Sequence, residues 1–253
     1  MTSQLVLTAL PGLPSVKPGD DLAELVRQGL AAAGLALEAG DVLVLAQKIV
    51  SKAEGRLVAL SSVEPSDRAR QLALETDKDP RLVELILRES REVLRWRPGV
   101  LIVEHRLGFV CANAGVDHSN VDGQEDNVLL LPEDPDQSAR QLRLALVADD
   151  GPALGVLIVD SHGRAWRTGT VGVAIGVAGL PALLDLRGTP DLYGRKLEVT
   201  QLGLADELAA AGSLLLGQAA EGTPVVHVRG LPYQLRQGSL AELIRPRAED
   251  LFR

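Results

Sequence analysis

Short runs of apolar residues predict several buried β-strands along this chain of 253 residues. Val42–Ala46 is one such run, and Gly155–Asp160 is another, in which four apolar residues lead directly into a carboxylate. A late run at residues 223–230 predicts a further strand. Two short strands are expected on either side of a turn at residues 106–108, and another at residues 196–203.

Apolar residues spaced three or four positions apart predict helices between these strands. The predicted helices cover residues 20–35, 79–95 and 133–147, a segment starting at about Ala205, and a short C-terminal segment at 238–253. Several begin with an Asp cap or a Pro in the first turn, both of which favour helix initiation. Strands and helices are interspersed without strict alternation, and neither a repeat nor a linker divides the chain. The pattern therefore predicts a mixed α/β or α+β fold.

Two acidic residues that follow apolar segments are candidate metal ligands. Asp160 ends one predicted strand, and Asp117 is followed closely by Ser119 and Asn120. Residues at the exit of a buried strand face the crevice where many α/β proteins bind ligands, and carboxylates suit Mg²⁺ or Mn²⁺. A turn explains either segment alone equally well, because Asp, Ser and Asn favour turns. The two segments together favour a metal site.

Two pairs of like charges have both a chemical and a structural interpretation. Lys48 and Lys52 share a face if their segment is helical, and either a bound phosphate or solvent would relieve their repulsion. Asp206 and Glu207 lie in the first turn of a predicted helix. Acidic residues there are stabilised by the helix dipole, so capping accounts for them as well as metal binding does.

Two arginines, Arg164 and Arg167, follow Asp160 and could bind a phosphate or carboxylate in two-point contact, or form surface salt bridges. The four histidines lack a zinc-type spacing, and Cys111 is the only cysteine. We find no phosphate-binding loop, dinucleotide fingerprint or nucleophile elbow in the sequence. A nucleotide would therefore have to bind at an unusual site.

Composition and charge exclude several classes of function. The net charge is -8 and the pI is near 5.1, which argues against general nucleic-acid binding. One cysteine fits a reducing compartment. The N-terminus lacks a basic region, and the longest uncharged stretch, residues 168–184, is too short and too glycine-rich for a confident membrane span. We therefore expect a cytoplasmic protein with no membrane or nucleic-acid partner.

Several long motifs in fixed order resemble one family, the coenzyme F420-0:L-glutamate ligases, which are γ-glutamyl ligases of deazaflavin coenzyme biosynthesis. The similarity extends from about residue 10 to residue 230. The motifs are GDVLVLAQKIVSKAEGR, NAGVDHSNV, VLIVDSHGRAWRTGTVGVAIGVAGL, DLYGRKLEVTQLGLADELAAAG and TPVVHVRGL. A series of long motifs in this order is far more specific than any of the fragments discussed above.

The resemblance implies a GTP-dependent ligase that joins L-glutamate to coenzyme F420-0 and can add further γ-linked glutamates. It also implies two divalent cations, Mg²⁺ or Mn²⁺, often with K⁺. The expected fold is α+β with mixed sheets, forming an intertwined homodimer. We expect one ligase module over residues 1–253, which could consist of two interleaved subdomains, without the flavin-binding domain that some relatives carry.

Residue roles carried over by matching motif are equally specific. The resemblance assigns Asp117 and Asp160 to the first cation, and Ser161, where the family often has threonine, to the second together with Glu207. The residues expected to contact GTP are Leu13, Pro14, Ser15, Val16, Gln47, Lys52, Asn120 and the segment Ala205, Asp206 to Gly212. Gln47 stands where some relatives have a small hydroxyl residue, and His118 where a small residue is frequent.

These assignments imply a chemistry. A carboxylate becomes reactive towards an amine once GTP has phosphorylated it, and cations at Asp117, Asp160 and Glu207, with Lys52, would stabilise the transferred phosphoryl group. Arg164 and Arg167 would then contact anionic parts of the substrates. Two alternatives from other classes stay open at this point. One is a nucleotide-binding protein without ligase activity, and the other is a metal-dependent phosphohydrolase.

Overall fold

The fold is organised around a five-stranded sheet with helices on both faces. The computed structural model describes residues 4–147 and 151–251. The strands are β1 (Val6–Ala9), β2 (Val42–Ala46), β3 (Leu57–Ala59), β4 (Ser90–Arg97), β5 (Val100–His105), β6 (Val110–Ala112), β7 (Asn127–Leu129), β8 (Gly155–Arg164), β9 (Arg167–Ala178), β10 (Leu184–Asp185), β11 (Gln201–Leu202) and β12 (Val225–Arg229). The helices are α1 (Leu22–Ala32), α2 (Gln47–Ala53), α3 (Asp67–Thr76), α4 (Pro80–Arg88), α5 (Pro135–Leu146) and α6 (Leu204–Leu216). The expected α+β class is confirmed.

The large sheet has the order β1-β12-β2-β8-β9. Strands β2 and β8 run parallel, with Ala46 opposite Val159, and the other neighbours are antiparallel. The predicted strands at 42–46, 155–160 and 223–230 are therefore confirmed as central or adjacent strands. Because β2 and β8 are parallel, their carboxyl ends meet at one edge of the sheet, which places Gln47 and Asp160 side by side.

Alternate residues of the central strands pack against different helices. Leu43 and Val156 face a cluster that includes residues of α1 and α5, whereas Val44 and Leu157 face a cluster that includes residues of α6. This alternation follows from the period-2 geometry of a strand. Both faces of the sheet are buried, which explains why the sequence of β2 is continuously apolar.

Glycines in β9 allow both helical layers to approach that strand closely. A Cβ atom on Gly172 would lie 2.5 Å from the carbonyl oxygen of Ala209 in α6. A Cβ on Gly176 would lie 2.5 Å from the carbonyl oxygen of Pro135 in α5. The glycine-rich stretch therefore serves close packing within one subunit.

Two carboxylates protect the exposed edge of β9. Ile158 pairs with Gly176 and Val159 with Ala174, so β9 carries a bulge at Ile175. The side chain of Asp206 accepts the backbone N–H of Ala174 at 2.9 Å, and Asp136 accepts that of Val177 at 2.7 Å. These bonds satisfy outward-facing donors of the edge strand. The hydrogen bond of Asp206 therefore attaches α6 to the edge strand of the sheet.

Residues 57–131 contain a second set of apolar clusters. Helices α3 and α4 pack on the antiparallel sheet β4-β5-β6, with Ile86 and Leu101 fully buried between them. The predicted strands on either side of the turn at 106–108 are confirmed as β5 and β6. The expected helix over 79–95 is wrong beyond Arg88, because residues 90–97 form β4 and pair with β5.

Buried charge explains where α4 ends. Glu89, the residue after the helix, receives two hydrogen bonds from Arg56, at 3.0 and 3.1 Å, and one from Arg106, at 2.9 Å. Continuing the helix would break this arrangement. Arg56 and Arg106 are 33 and 17 residues away from Glu89 in sequence. The local sequence pattern therefore does not predict the end of the helix.

Two further expectations need correction. The C-terminal segment forms two short 3₁₀ turns, Leu240–Glu242 and Arg247–Glu249, because Pro246 separates them; residues 252–253 of the predicted helix lie outside the described residues. The strand expected at 196–203 is reduced to the two residues of β11. Across residues 4–147 and 151–251, every helix is too short or too polar to cross a bilayer.

Candidate functional site

A cavity of about 550 Å³ opens at the carboxyl ends of β2 and β8, within the size range of small-ligand sites. Its walls come from the start of α2, the loop before α1, the segment 112–120, the end of β8 and the loop after α6. The lining residues are Leu13–Val16, Ala46–Ile49, Lys52, Ala112, Asn113, Gly115–Asp117, Ser119, Asn120, Val159–Gly163, Ser213 and Leu216–Pro224.

Asp160 reaches the cavity because β8 continues past the end of β2. The apolar run before it is fully buried and fixes the strand, while Asp160 itself retains 12% of its side-chain exposure. Its Oδ2 lies 3.1 Å from Nε2 of His162, two residues further along the same face of the strand. The carboxylate is therefore held on a rigid element.

Asp117 is fixed by backbone contacts and by a strained turn before it. Its N–H and C=O both bond to Leu129, each at 2.9 Å. Shortly before Asp117, three consecutive residues have positive φ angles. These are Asn113, Ala114 and Gly115, with φ values of 51°, 52° and 65°. Left-handed backbone is costly for residues other than glycine, and such strain concentrates at functional sites.

The carboxylates of Asp117 and Asp160 face the same cavity, and the charge of Asp160 affects the pKa of Asp117. Burial raises the pKa of Asp117 to about 6; the charge of Lys48 opposes that rise, and the charge of Asp160 adds to it. The buried side chain of Gln47 donates to Oδ2 of Asp117 at 2.6 Å and accepts from Ser51 at 2.8 Å. Gln47, expected to contact GTP, thus has its amide committed to orienting Asp117.

Two lysines on one face of α2 extend over the loop that carries Asp117. Lys48 Nζ donates to the carbonyl and hydroxyl oxygens of Ser119 at 3.0 and 3.2 Å and lies 3.5 Å from Asp117 Oδ2. Lys52 Nζ donates to the carbonyl oxygen of Asn120 at 2.9 Å. The predicted shared face is confirmed, and both ammonium groups line the cavity.

The loop at residues 216–224 lines the cavity and was missed from the sequence. Asn120 Nδ2 donates to the carbonyl oxygen of Ala219 at 2.8 Å, which ties this loop to the Asp117 segment. Gly217 has φ 74° and ψ 177°, a conformation essentially restricted to glycine. Glu221 accepts the N–H of Ala219 at 2.8 Å. The only sequence signal was a pair of glycines in a polar stretch, which any surface turn shares.

The other predicted site residues divide into two groups. The cavity lining includes Leu13, Pro14, Ser15, Val16, Lys52, Asn120 and Ser161. It does not include Glu207, Ala205, Asp206, Gly212, Arg164 or Arg167. Ala205 is buried against the sheet, and Gly212 packs on Val44, so these two face away from the cavity. The roles assigned to the second group remain predictions.

The donor set suits a hard cation that shares its coordination with a ligand. Among residues 4–147 and 151–251 there is no group of three or more His, Cys, Asp or Glu side chains arranged for a metal. Asp117, Asp160 and the hydroxyl of Ser161 offer oxygen atoms only. Mg²⁺ is commonly held by one or two carboxylates plus phosphate oxygens and water. The residues present therefore fit a Mg²⁺ or Mn²⁺ ion.

Paired carboxylates, two lysines and a glycine-containing loop around one cavity are the groups used by enzymes that bind a cation together with a phosphate ester. The profile of the family described as F420-0:Gamma-glutamyl ligase matches residues 12–230. The chain belongs to this family, and it is accordingly an enzyme of the ligase class.

Relatives share identity along almost the entire chain. A protein of Methanothermobacter thermautotrophicus is 49% identical over 249 residues, covering 98% of both chains. One of Methanopyrus kandleri is 50% identical over 242 residues, covering 94% of this chain and 93% of the relative. One of Methanocaldococcus jannaschii is 42% identical over 243 residues, covering 95% and 94%. Each is named coenzyme F420:L-glutamate ligase.

Proposed function

We propose that this protein joins L-glutamate to coenzyme F420-0 with GTP as co-substrate, through an acyl phosphate. Family membership and the names of the relatives support the substrates. The observation that carries the mechanism is that Asp117, Asp160 and Lys52, although far apart in sequence, line one cavity. A further γ-linked glutamate could be added by the same chemistry.

The reaction needs an activated carboxyl group. The carboxylate oxygen of F420-0 attacks the γ-phosphorus of GTP, the bond from that phosphorus to the β–γ bridging oxygen breaks, and GDP leaves. The amine of L-glutamate, after losing a proton, then attacks the acyl carbon and releases inorganic phosphate. One amide bond forms for each GTP consumed.

Charge in the cavity would favour the first step. Asp117 and Asp160 would hold a Mg²⁺ or Mn²⁺ ion, and Ser161 would contribute to a second. Such ions neutralise charge on the phosphate oxygens during transfer. Lys48 and Lys52 supply fixed positive charge at the same wall of the cavity. K⁺ and the role of Glu207 as a metal ligand rest on the resemblance alone. Arg164 and Arg167 are proposed as substrate contacts because guanidinium groups bind phosphates and carboxylates in two-point contact.

The nucleotide is proposed to bind between the loop at Leu13–Val16 and the loop at residues 216–224. Both loops line the cavity, and Asn120 links the second loop to the Asp117 segment. The resemblance pointed to Ala205–Gly212 for part of this contact. Burial of Ala205 and Gly212 against the sheet favours the end of α6 and the loop that follows it instead.

We propose an intertwined homodimer as the active form. The hairpin between β10 and β11 supports this, because Leu192, Tyr193 and Val199 are 98%, 94% and 84% exposed. Apolar side chains grouped in this way commonly mark an interaction surface. Light scattering after size-exclusion chromatography should give twice the chain mass, and Leu192→Ser combined with Tyr193→Ser should reduce it. A wild-type monomer would contradict the proposal.

One assay separates the proposed reaction from its alternatives. The protein is incubated with F420-0, L-glutamate, GTP and Mn²⁺, and the products are identified by mass spectrometry. A mass gain of one glutamyl unit, with an equal amount of GDP, is expected. Release of phosphate without need for glutamate would indicate a phosphohydrolase, and tight GTP binding without products would indicate a non-catalytic protein. Replacing GTP with ATP measures nucleotide preference.

A further inference from the structure

His162 forms a hydrogen bond with Asp160, and the proposed reaction assigns no role to this residue. The two side chains lie on the same face of β8, with Nε2 of His162 at 3.1 Å from Oδ2 of Asp160. Both are mostly buried, with side-chain exposures of 11% and 12%. A carboxylate oxygen accepts hydrogen bonds, so the imidazole is assigned as the donor in this contact, through its Nε2–H.

The ring of His162 is held in place by an aromatic stack. Phe109 contacts it in a tilted arrangement with ring centroids 5.3 Å apart, and Phe109 also stacks on His105 at 5.1 Å with an interplanar angle of 6°. His105 is fully buried and accepts the backbone N–H of Leu107 at 3.0 Å. The stack therefore connects the rigid turn between β5 and β6 to the imidazole beside Asp160.

The two acids of the cavity are restrained in the same way. Gln47 donates to Oδ2 of Asp117, and His162 to Oδ2 of Asp160. Within the described part of the chain, the Oδ1 atoms of both acids receive no hydrogen bond. Hydrogen bonds from outer groups fix the orientation of carboxylates that bind metals. One oxygen of each acid is thereby left available to the cavity.

We propose that His162, buttressed by Phe109, is a positioning residue that orients Asp160 for a divalent cation. This inference rests on the proposed cation site at Asp117 and Asp160. It assigns to His162 a role in cation affinity through hydrogen-bond donation, separate from any contact with substrate. The ring of His162 would pack against Phe109, and its Nε2–H would orient the carboxylate of Asp160.

Two substitutions separate packing from donation. His162→Phe keeps a ring against Phe109 and removes the donor, whereas His162→Gln keeps an N–H at similar reach and removes the ring. His118→Ala is the matched control, because His118 adjoins Asp117 but is exposed and outside the cavity lining. Mn²⁺ dissociation constants are measured by electron paramagnetic resonance without nucleotide, and melting temperatures report on the fold.

Loss of the donor should weaken Mn²⁺ binding by roughly tenfold in His162→Phe, the lower end of the range for outer-shell groups. His162→Gln and His118→Ala should stay close to the wild-type constant. In the ligation assay, His162→Phe should raise the KM for Mn²⁺ and leave kcat at saturating Mn²⁺ nearly unchanged, a split that general structural damage would not give. His162→Met, which also lacks a donor, replaces the Phe variant if that variant unfolds.

The outcomes distinguish this inference from the function on which it rests. Wild-type protein that binds Mn²⁺, with His162→Phe binding equally well, would overturn the positioning role and leave the cation site standing. Equal weakening in the Phe and Gln variants would assign the effect to packing and also overturn it. Absence of Mn²⁺ binding by the wild type, both without nucleotide and with GDP present, would overturn the cation site itself and this inference with it.

Discussion

The carboxylates of Asp117 and Asp160 face one cavity, close enough for the charge of Asp160 to help raise the pKa of Asp117. The two residues come from different parts of the fold. Asp160 ends an apolar run in the large sheet, and Asp117 is pinned to Leu129 by two backbone hydrogen bonds. Two like charges held together in a partly buried site destabilise one another unless a cation or a proton compensates them.

Asp160→Asn should therefore abolish ligation while preserving the fold. Loss of a direct cation ligand removes several kcal/mol of stabilisation from the transferring phosphoryl group, so the rate should fall on the order of 10³-fold. The melting temperature should stay the same or rise, because a like charge near Asp117 is removed. Product and GDP are measured by mass spectrometry, and GDP release at the wild-type rate would count against the assigned role.

Lys52→Ala should lower kcat/KM for GTP by roughly 10²-fold, since a fixed charge beside the phosphates stabilises the transition state. Lys78→Ala is a matched control. Burial lowers the pKa of both ammonium groups, but Lys78 lies outside the cavity lining. Steady-state kinetics of both variants provide the measurement. Similar losses in the two would show that removing a half-buried lysine, rather than a phosphate contact, causes the effect.

Gly217→Ala should raise the KM for GTP by about tenfold, corresponding to about 1.4 kcal/mol. The φ of 74° and ψ of 177° at this position form a backbone conformation that alanine rarely adopts, and a Cβ would displace the Glu221 carboxyl group that accepts the N–H of Ala219. Gly34→Ala shares a positive φ, with no atom within 4 Å of the added Cβ, and it lies outside the cavity lining. Isothermal titration calorimetry with GDP should show weaker binding in Gly217→Ala alone; unchanged binding would argue against the proposed nucleotide loop.

The ion pairs of Glu89 with Arg56 and Arg106 predict that part of the free energy of unfolding is lost at acidic pH. Although burial alone would raise it, the imidazole of His105 at 3.7 Å, the hydrogen bond from Arg106 and the charge of Arg56 hold the pKa of Glu89 at about 2, below the ordinary 4.5. The stabilisation is complete above the ordinary pKa and is lost as the pH falls towards 2, since the unfolded chain binds the proton more readily. A shift of this size corresponds to on the order of 3 kcal/mol.

Glu89→Gln tests this pH dependence. Urea unfolding at pH 7 should show the variant less stable than the wild type by about that amount, and the difference should shrink progressively below pH 4.5, the ordinary pKa. Glu75→Gln offers a comparison on the exposed surface of α3. A wild-type-to-variant difference that stays constant down to the lowest accessible pH would contradict the assigned pKa.

The sequence predicted where the cavity lies in the fold, but it predicted only some of the segments that line it. The apolar run before Asp160 placed this residue at the exit of a buried strand. The parallel pairing of β2 and β8, which the structure shows, brings it beside the start of α2. The end of α4 could not be predicted, because Glu89 is held by arginines distant in sequence. Residues 216–224 lacked a motif, since their position depends on contacts such as that of Asn120 with Ala219.

Gln47 shows a second limit of sequence reasoning. Its residue type is compatible with either nucleotide binding or orientation of a neighbour, and only the 2.6 Å contact with Asp117 favours orientation. The same holds for Asp206, whose bond to Ala174 joins α6 to an edge strand 32 residues away in sequence. Roles that depend on one hydrogen bond across the fold are not encoded in local spacing.

In the proposed mechanism, Asp117 and Asp160 together hold the cation that meets the phosphates of the nucleotide. Crystals grown with Mn²⁺ and GDP, with diffraction recorded at the manganese absorption edge, test it most directly. We expect an anomalous peak bonded to oxygens of both carboxylates and of a phosphate group. A manganese peak elsewhere in the molecule, with Asp117 and Asp160 free of metal and phosphate, would contradict it.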